Sequence, residues 1–444
     1  MPSIGVLGGG ISGLAAAWFL KQGGAEVTLF EKETPGGAIR TELKQGLVLD
    51  LGPNSLRDKS GELLQLINEL GLKDELLMIS KAFKTRSIVR NSKLKFIKPS
   101  LTSLLKTDLL SLKAKLRFFA EPFQPIGKNQ EESVGSFLRR RLGKEAVNYL
   151  ADPILSGIYA GDIEKLSKTE ILPEFARCES EYRSLFLSIL FKNKIKSDSQ
   201  EQAVFNFRNG LQTLPNRLAE KLSEELIHTK VTCLEFMDDH VKVTTENDIF
   251  IFDQVLSCLP AYVLSSLICE YAPDLSNHLE KIHYPAVLST SVTYSNKDIP
   301  NNTDAFGFLV PRIEGFDLLG AIWKSSIFPS HAPEGQKQYT LLAGGAHKII
   351  QKNEITETQN KIIQEFSRIM NINAEPIHSD HIYWEKAIPQ QNLGYWKMRS
   401  AVNDFMKMHK NFTIGGNYLW GVSIPDCIKQ AKLTAQQLTW SNMK

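Results

Sequence analysis

Apolar residues fall along this chain in three rhythms. Runs apolar at consecutive positions, Ile4–Leu7, Val27–Phe30 and Val255–Pro260, read as short parallel strands buried on both faces. Alternation at period two over Lys230–Phe236 and His240–Thr245 reads as a strand pair. The same signal over Leu288–Tyr294, Ala305–Pro311, Leu318–Trp323 and Gln338–Gly344 reads as an antiparallel sheet. Helical spacing marks Ser12–Lys21, Glu62–Leu70 (stopped by Gly71) and Asn360–Met370. Residues 130–200 read as mainly helical, and Gln202–Pro215 as a strand and turn before a helix starting at Pro215. The stretch 411–438 reads as strand, glycine loop and a helix from about Pro425.

The first strand runs into Gly8, Gly10 and Gly13, the G-x-G-x-x-G spacing. Gly8 permits the tight turn, Gly10 lets backbone approach a pyrophosphate, and Gly13 lets the helix pack close to the strand. The free N–H groups at the helix start favour an anion. Glu31 ends the next strand, 18 residues after Gly13, where a carboxylate can accept hydrogen bonds from a ribose. Gly36-Gly37-Ala38-Ile39-Arg40-Thr41 then resembles the extended FAD fingerprint of the glutathione-reductase and amine-oxidase class, which favours FAD over NAD. Gly52-Pro53-Asn54-Ser55 is a further tight turn where that class lays backbone along the cofactor. The candidate cofactor residues from this region are Gly8, Gly9, Gly10, Ile11, Ser12, Gly13, Glu31, Lys32, Gly37, Ala38, Gly52, Pro53, Asn54 and Ser55. The fold class expected is α/β, with a Rossmann-like FAD-binding domain of this class. A helix N-terminus near Pro425 would suit an electron-rich flavin pyrimidine ring.

Length and charge sharpen this only in places. A chain of 444 residues suggests two or three domains. Lys+Arg 52 against Asp+Glu 49 gives +3, which argues against nucleic acid as a partner. Five scattered cysteines without C-x-x-C argue for a reducing compartment and against zinc or a disulfide framework. His378 and His381 read as surface or strand-end residues, and no metal site is expected. A strand starting at Ile4 is expected to leave no room for a cleaved leader, and no apolar run is long enough to span a bilayer. Residues 84–128 differ: eleven cations against Asp108 and Glu121 give a local +9. Leu101, Leu104, Leu105, Leu109, Leu110, Leu112, Leu116, Phe118 and Phe119 are interleaved with them. A basic amphipathic helix on an anionic membrane surface is the expectation, with further cations at Arg139-Arg140-Arg141 and Tyr182–Lys196.

Leu155-Ser156-Gly157-Ile158-Tyr159-Ala160-Gly161-Asp162, Ile388-Pro389-Gln390 and Ser423-Ile424-Pro425-Asp426-Cys427-Ile428 resemble the protoporphyrinogen oxidase family of haem biosynthesis, bacterial type. The resemblance runs essentially end to end. It implies an FAD-binding domain (1–83, 203–283, 410–444), an antiparallel-sheet substrate domain (84–90, 284–409) and a helical membrane-associating domain (91–202). It implies oxidation of a porphyrinogen to a porphyrin, six electrons in three flavin-sized steps, with oxygen or a quinone as acceptor. Orientation should dominate such a reaction, so no titratable catalytic residue is expected. By resemblance, Arg86 meets a substrate propionate, Gly157 lays backbone against the tetrapyrrole and Phe306 stacks on a pyrrole. Leu309 and Ile322 sandwich another ring, and Leu342 completes the pocket. Val231, Trp396, Val422, Ser423 and Ile424 match family cofactor contacts. The loop around Pro425 is closer to relatives acting on coproporphyrinogen, with four propionates; Arg86 leans the balance to protoporphyrinogen. A cytoplasmic protein, peripheral on the inner face of the cell membrane and compatible with a homodimer, is the expectation.

Overall fold

A five-stranded parallel sheet is built from three distant stretches of chain. Its order is Leu226–His228, Glu26–Glu31, Ser3–Leu7, Gln254–Ser257 and Phe412–Ile414. The apolar runs are covered on both faces, as their composition requires. On one face the Ile11–Gln22 and Ile424–Trp440 helices pack together through small residues, Ala15, Ala16 and Ala17 sharing a core with Ala431 and Ala435. On the other lie the antiparallel strands Val231–Phe236, Val241–Thr245 and Ile249–Phe252 and three helices, among them Tyr395–Met408. The computed structural model describes residues 2–58, 60–79, 85–97, 106–127, 129, 131–186, 204–300 and 305–440.

The second unit is a seven-stranded sheet. Its order is His378–Trp384, Val287–Ser295, Gln336–Gly344, Leu318–Ile322, Gly307–Leu309, Arg86–Arg90 and Lys93–Ile97. The expected antiparallel sheet is therefore larger than its alternation signalled, and mixed: Gly307–Leu309 pairs parallel with Arg86–Arg90. The Ile355–Met370 helix covers one face, Phe366 packing on Phe308 and Tyr339.

The basic stretch differs from its reading as one amphipathic helix. It opens with a hairpin, Arg86–Arg90 against Lys93–Ile97, and its β-branched Ile88, Val89 and Ile97 with Phe96 favour strand. Asn91 and Ser92 turn the chain with φ of 52° and 58°, the positive values a two-residue hairpin loop demands. The helix comes later, Leu112–Phe119, where the Ser111 hydroxyl caps it by accepting from the Ala114 amide. Leu109, Leu110 and Phe118 are core, whereas Leu112 and Leu116, one turn apart, are 73% and 66% exposed. Leu101, Leu104, Leu105 and residues 187–196 lie outside the described residues. The Arg139–Arg141 triplet is also corrected, since all three arginines are committed to carboxylates. Arg139 pairs with Glu164, Arg140 with Glu132 and Glu179, and the fully buried Arg141 with Glu121. The helix before Pro215 starts at Thr213, leaving the proline in its first turn, where a missing N–H is harmless. No helix among the described residues is long and apolar enough to cross a membrane.

Candidate active site

The glycine segments converge. Gly8 N–H donates to the Phe30 carbonyl, fixing the turn between the first two strands. A Cβ on Gly13 would overlap the Gly8 carbonyl oxygen, so only glycine lets the helix sit this close. The Gly36 amide donates to the Gly9 carbonyl, Gly36 bridges to Gly10, and a Cβ on Gly37 would stand 3.4 Å from the Gly10 Cα. A Cβ on Gly52 would overlap the Ala38 carbonyl. Gly8 through Gly13, Gly36 through Ala38 and the Gly52–Ser55 turn are thus one surface. Ile11 and Ser12 open the helix from that surface. Nothing lies within 4 Å of where a Cβ on Gly10 would stand, and Gly10 caps the helix without a side-chain acceptor. An uncapped helix start beneath open space suits a pyrophosphate.

Glu31 reaches back over the loop. One carboxylate oxygen accepts from the Gly9 amide at 2.7 Å and the other from Glu33 at 2.8 Å. Gly9 is required here too, since a Cβ would stand 2.7 Å from that of Glu31, a constraint no spacing rule signals. Val231 begins its strand three residues after His228, which registers with Glu31. A cavity of about 640 Å³ opens beside this strand end, lined by Lys32, Glu33, Thr34, Pro35, Arg40, Gln212 and His228 among others. Lys32 is exposed and pairs with Glu33. These residues fit an adenosine-diphosphate moiety. At the far end, the Ser423 hydroxyl accepts from the Asp426 amide and caps the Ile424–Trp440 helix, with Val422, Ser423 and Ile424 half-buried. Burial, and then the charge of Asp426, raise the Tyr159 phenol above its ordinary value. Trp396 is not brought into the group. It stands half exposed, its indole N–H donating to Glu131.

The substrate candidates gather on the sheet face turned away from the Ile355–Met370 helix. Phe308, Ala321 and Leu341 are buried, while their neighbours Leu309, Ile322 and Leu342 point to the other face and stay partly open. Register places Leu309 and Leu342 on either side of Gly320, and Ile322 across from Gly307 and Thr340. A Cβ on Gly157 would stand 2.8 Å from Leu309, so that glycine brings the Asp152–Tyr159 helix directly against this wall. Arg86 holds its guanidinium 5.5 Å above the Phe306 ring.

A model of flavin containing amine oxidoreductases matches residues 11–439, nearly the whole chain. The chain belongs to that family. As members of it hold a flavin, the surface joining Gly10, Glu31 and the Gly52–Ser55 turn is where this oxidoreductase would carry its FAD. The chain is 28% identical to the mitochondrial protoporphyrinogen oxidase of Nicotiana tabacum, covering 95% of this chain and 91% of the relative. It is 29% identical to the coproporphyrinogen III oxidase of Bacillus subtilis (strain 168), over 96% of each. A solved structure from Exiguobacterium sp. 255-15, provisionally named a protoporphyrinogen oxidase, superposes with a TM-score of 0.83 at 22% identity over 99% of both chains.

Between cofactor turn and substrate wall lies a polar layer that periodicity and motifs missed: Asp50, Asn206, Lys324, Gln338 and Thr340, all buried. Its one sequence signal is a lysine directly after the apolar run Leu318-Leu319-Gly320-Ala321-Ile322-Trp323. His331 sits beside it, its imidazole held neutral: burial, with Lys324 adding to it, pushes the pKa down to about 4.

Proposed function

We propose that this flavoenzyme oxidises protoporphyrinogen IX to protoporphyrin IX, and that Arg86, Gly157, Phe306, Leu309, Ile322 and Leu342 carry the substrate. The observation that bears the reading is the pairing of an apolar wall (Leu309, Ile322, Leu342, with Gly157 opposite) with Arg86 over Phe306 at its edge. A flat, greasy substrate with a carboxylate suits that combination. Burial, and after it the charge of Arg57, pull Arg86 below the usual arginine value. The planar guanidinium fork suits a propionate carboxylate. Bound FAD would accept a hydride from the substrate carbon at each step. The protein's share is to hold the reduced macrocycle flat, exclude water and fix its orientation. The glycine surface, Glu31 and the capped Ile424–Trp440 helix are the part we assign to FAD.

Coproporphyrinogen III is the second reading, favoured by the full-length match to the Bacillus subtilis relative. Purified holoprotein given both porphyrinogens in parallel, with porphyrin fluorescence followed, separates them; fluorescence from neither sinks both. Arg86→Ala should raise KM about tenfold and leave kcat within about threefold, since it removes a ground-state contact to a remote carboxylate. An unchanged KM would take Arg86 out of the site.

We further propose peripheral attachment to an anionic membrane, on the cytoplasmic inner face. Leu112, Leu116 and Phe123 are exposed by 66–88%, and Lys106 and Lys113 beside them are exposed as well. Apolar and basic groups side by side are what an anionic bilayer retains. Leu112→Glu with Leu116→Glu should cut flotation with anionic liposomes about tenfold while sparing activity in detergent. Equal flotation of both proteins would defeat the assignment.

A further inference from the structure

Cofactor turn and substrate wall are joined by an ion pair closed off from solvent. Asp50 ends the Leu47–Asp50 strand, two residues before Gly52, and Lys324 follows Ile322 by two. Their side chains are 0% and 1% exposed. The Lys324 ammonium donates to an Asp50 carboxylate oxygen and, at 3.1 Å, to the Asn54 carbonyl. The Asn206 amide donates to the same two acceptors at 2.7 and 2.9 Å. The other Asp50 oxygen accepts from the Thr41 hydroxyl at 2.6 Å and the Leu211 amide at 2.9 Å. The Asn54 side chain completes the joint, accepting from the Thr340 hydroxyl at 3.1 Å and donating to the Gly52 carbonyl at 3.1 Å. Two of these bonds, from the Lys324 ammonium and the Thr340 hydroxyl to Asn54, tie the Gly52–Ser55 turn to the sheet.

Register gives this joint its meaning. Thr340 stands directly across from Ile322 and two residues from Leu342 on the same strand face, roughly 7 Å along the strand. A buried ion pair is weak evidence for stability, because well-packed apolar residues of equal volume serve as well or better. Directional bonds to one backbone carbonyl are what an apolar pair cannot supply.

We propose that Lys324 is a positioning residue: through Asp50 and the Asn54 carbonyl it fixes the Gly52–Ser55 turn relative to Ile322 and Leu342. This deepens the proposed function and rests on its assignment of that turn to FAD and of that wall to substrate. Lys324 is closed off from solvent, and its ammonium donates to Asp50 and the Asn54 carbonyl. It acts by holding the turn, and a displacement of about 1 Å at such a joint costs on the order of a hundredfold in rate.

The test removes both charges together, Asp50→Asn with Lys324→Met, so that neither is left buried alone. The holoprotein is compared with wild type by FAD titration, visible flavin absorption and steady-state kinetics. A weaker FAD complex by about fivefold, a shifted flavin band, and kcat lowered at least about thirtyfold with KM within about twofold are expected. Thr340→Val, which cuts only the Asn54 side-chain link, should move the same readouts less and decides alone if the double variant does not fold. A merely structural role would lower stability and leave the flavin band and the split between kcat and KM untouched, and that result overturns the proposal. FAD binding and the flavin band need no substrate, so they test the joint even if neither porphyrinogen is oxidised.

Discussion

Gly13→Val is expected to give a protein that purifies colourless and binds FAD at least about a hundredfold more weakly. A Cβ alone at this position would overlap the Gly8 carbonyl oxygen, and valine adds two methyl groups to it. Overpacking of a close-packed site costs about 1–3 kcal/mol where neighbours can shift. Here they cannot easily shift, because the Ile11–Gln22 helix is held between the parallel sheet and the Ile424–Trp440 helix. The helix must swing off the strand, and its start leaves the surface shared by Gly10, Gly36 and Gly37. The ratio of 450 to 280 nm absorbance reads the result directly. Wild-type flavin content would show that the close approach of helix and strand is not what makes this site.

The second large effect is expected far from the cofactor. Glu121→Ala should destabilise the helical unit by about 3–5 kcal/mol, the cost of leaving a buried charge without its partner. Glu121 and Arg141 are both completely buried. The carboxylate accepts from Arg141, from the Ser184 hydroxyl at 2.6 Å and from the Leu185 amide at 3.0 Å. Arg141 donates onward to the carbonyls of Gln124 at 3.0 Å and Arg183 at 2.8 Å. Removing the carboxylate therefore breaks bonds from a guanidinium, a hydroxyl and an amide at once, and leaves Arg141 the more distant Glu179 carboxylate at 3.5 Å. Denaturant unfolding with a probe in this unit measures the loss, and FAD affinity should stay within about twofold. A loss under about 1 kcal/mol would mean that water enters and solvates Arg141.

The parts of this molecule that obey a local rule were legible in its sequence. Gly8, Gly10, Gly13 and Glu31 announced a dinucleotide loop because turn, close approach and ribose contact each demand a residue type at a fixed offset. Strands buried on both faces, such as Ile4–Leu7, were legible for the same reason. Composition misled where it carries no direction. The arginines at 139–141 looked like a membrane-facing cluster, yet Glu121, Glu132, Glu164 and Glu179 reach them from elsewhere in the chain. The segment 86–97 carries no hairpin signal of its own, since neither strand alternates throughout and its turn has Asn-Ser without glycine. The Asp50–Lys324 pair joins residues 274 positions apart, and no periodicity encodes such a meeting.

The parallel sheet has one further consequence, for how the chain reaches its native state. The strand Gln254–Ser257, next to the edge, pairs on one side with Ser3–Leu7 and on the other with Phe412–Ile414. Three of the core partners of the Ile11–Gln22 helix, Ile428, Ala431 and Ala435, lie beyond that last strand. Pairings so distant in sequence close large loops before any reward, which slows folding. On a ribosome, the nascent chain must wait until more than 400 residues have emerged before this sheet can be completed. Until then the Gln254–Ser257 strand keeps a bare edge, and that interval is when the chain is most open to mispairing with another copy of itself.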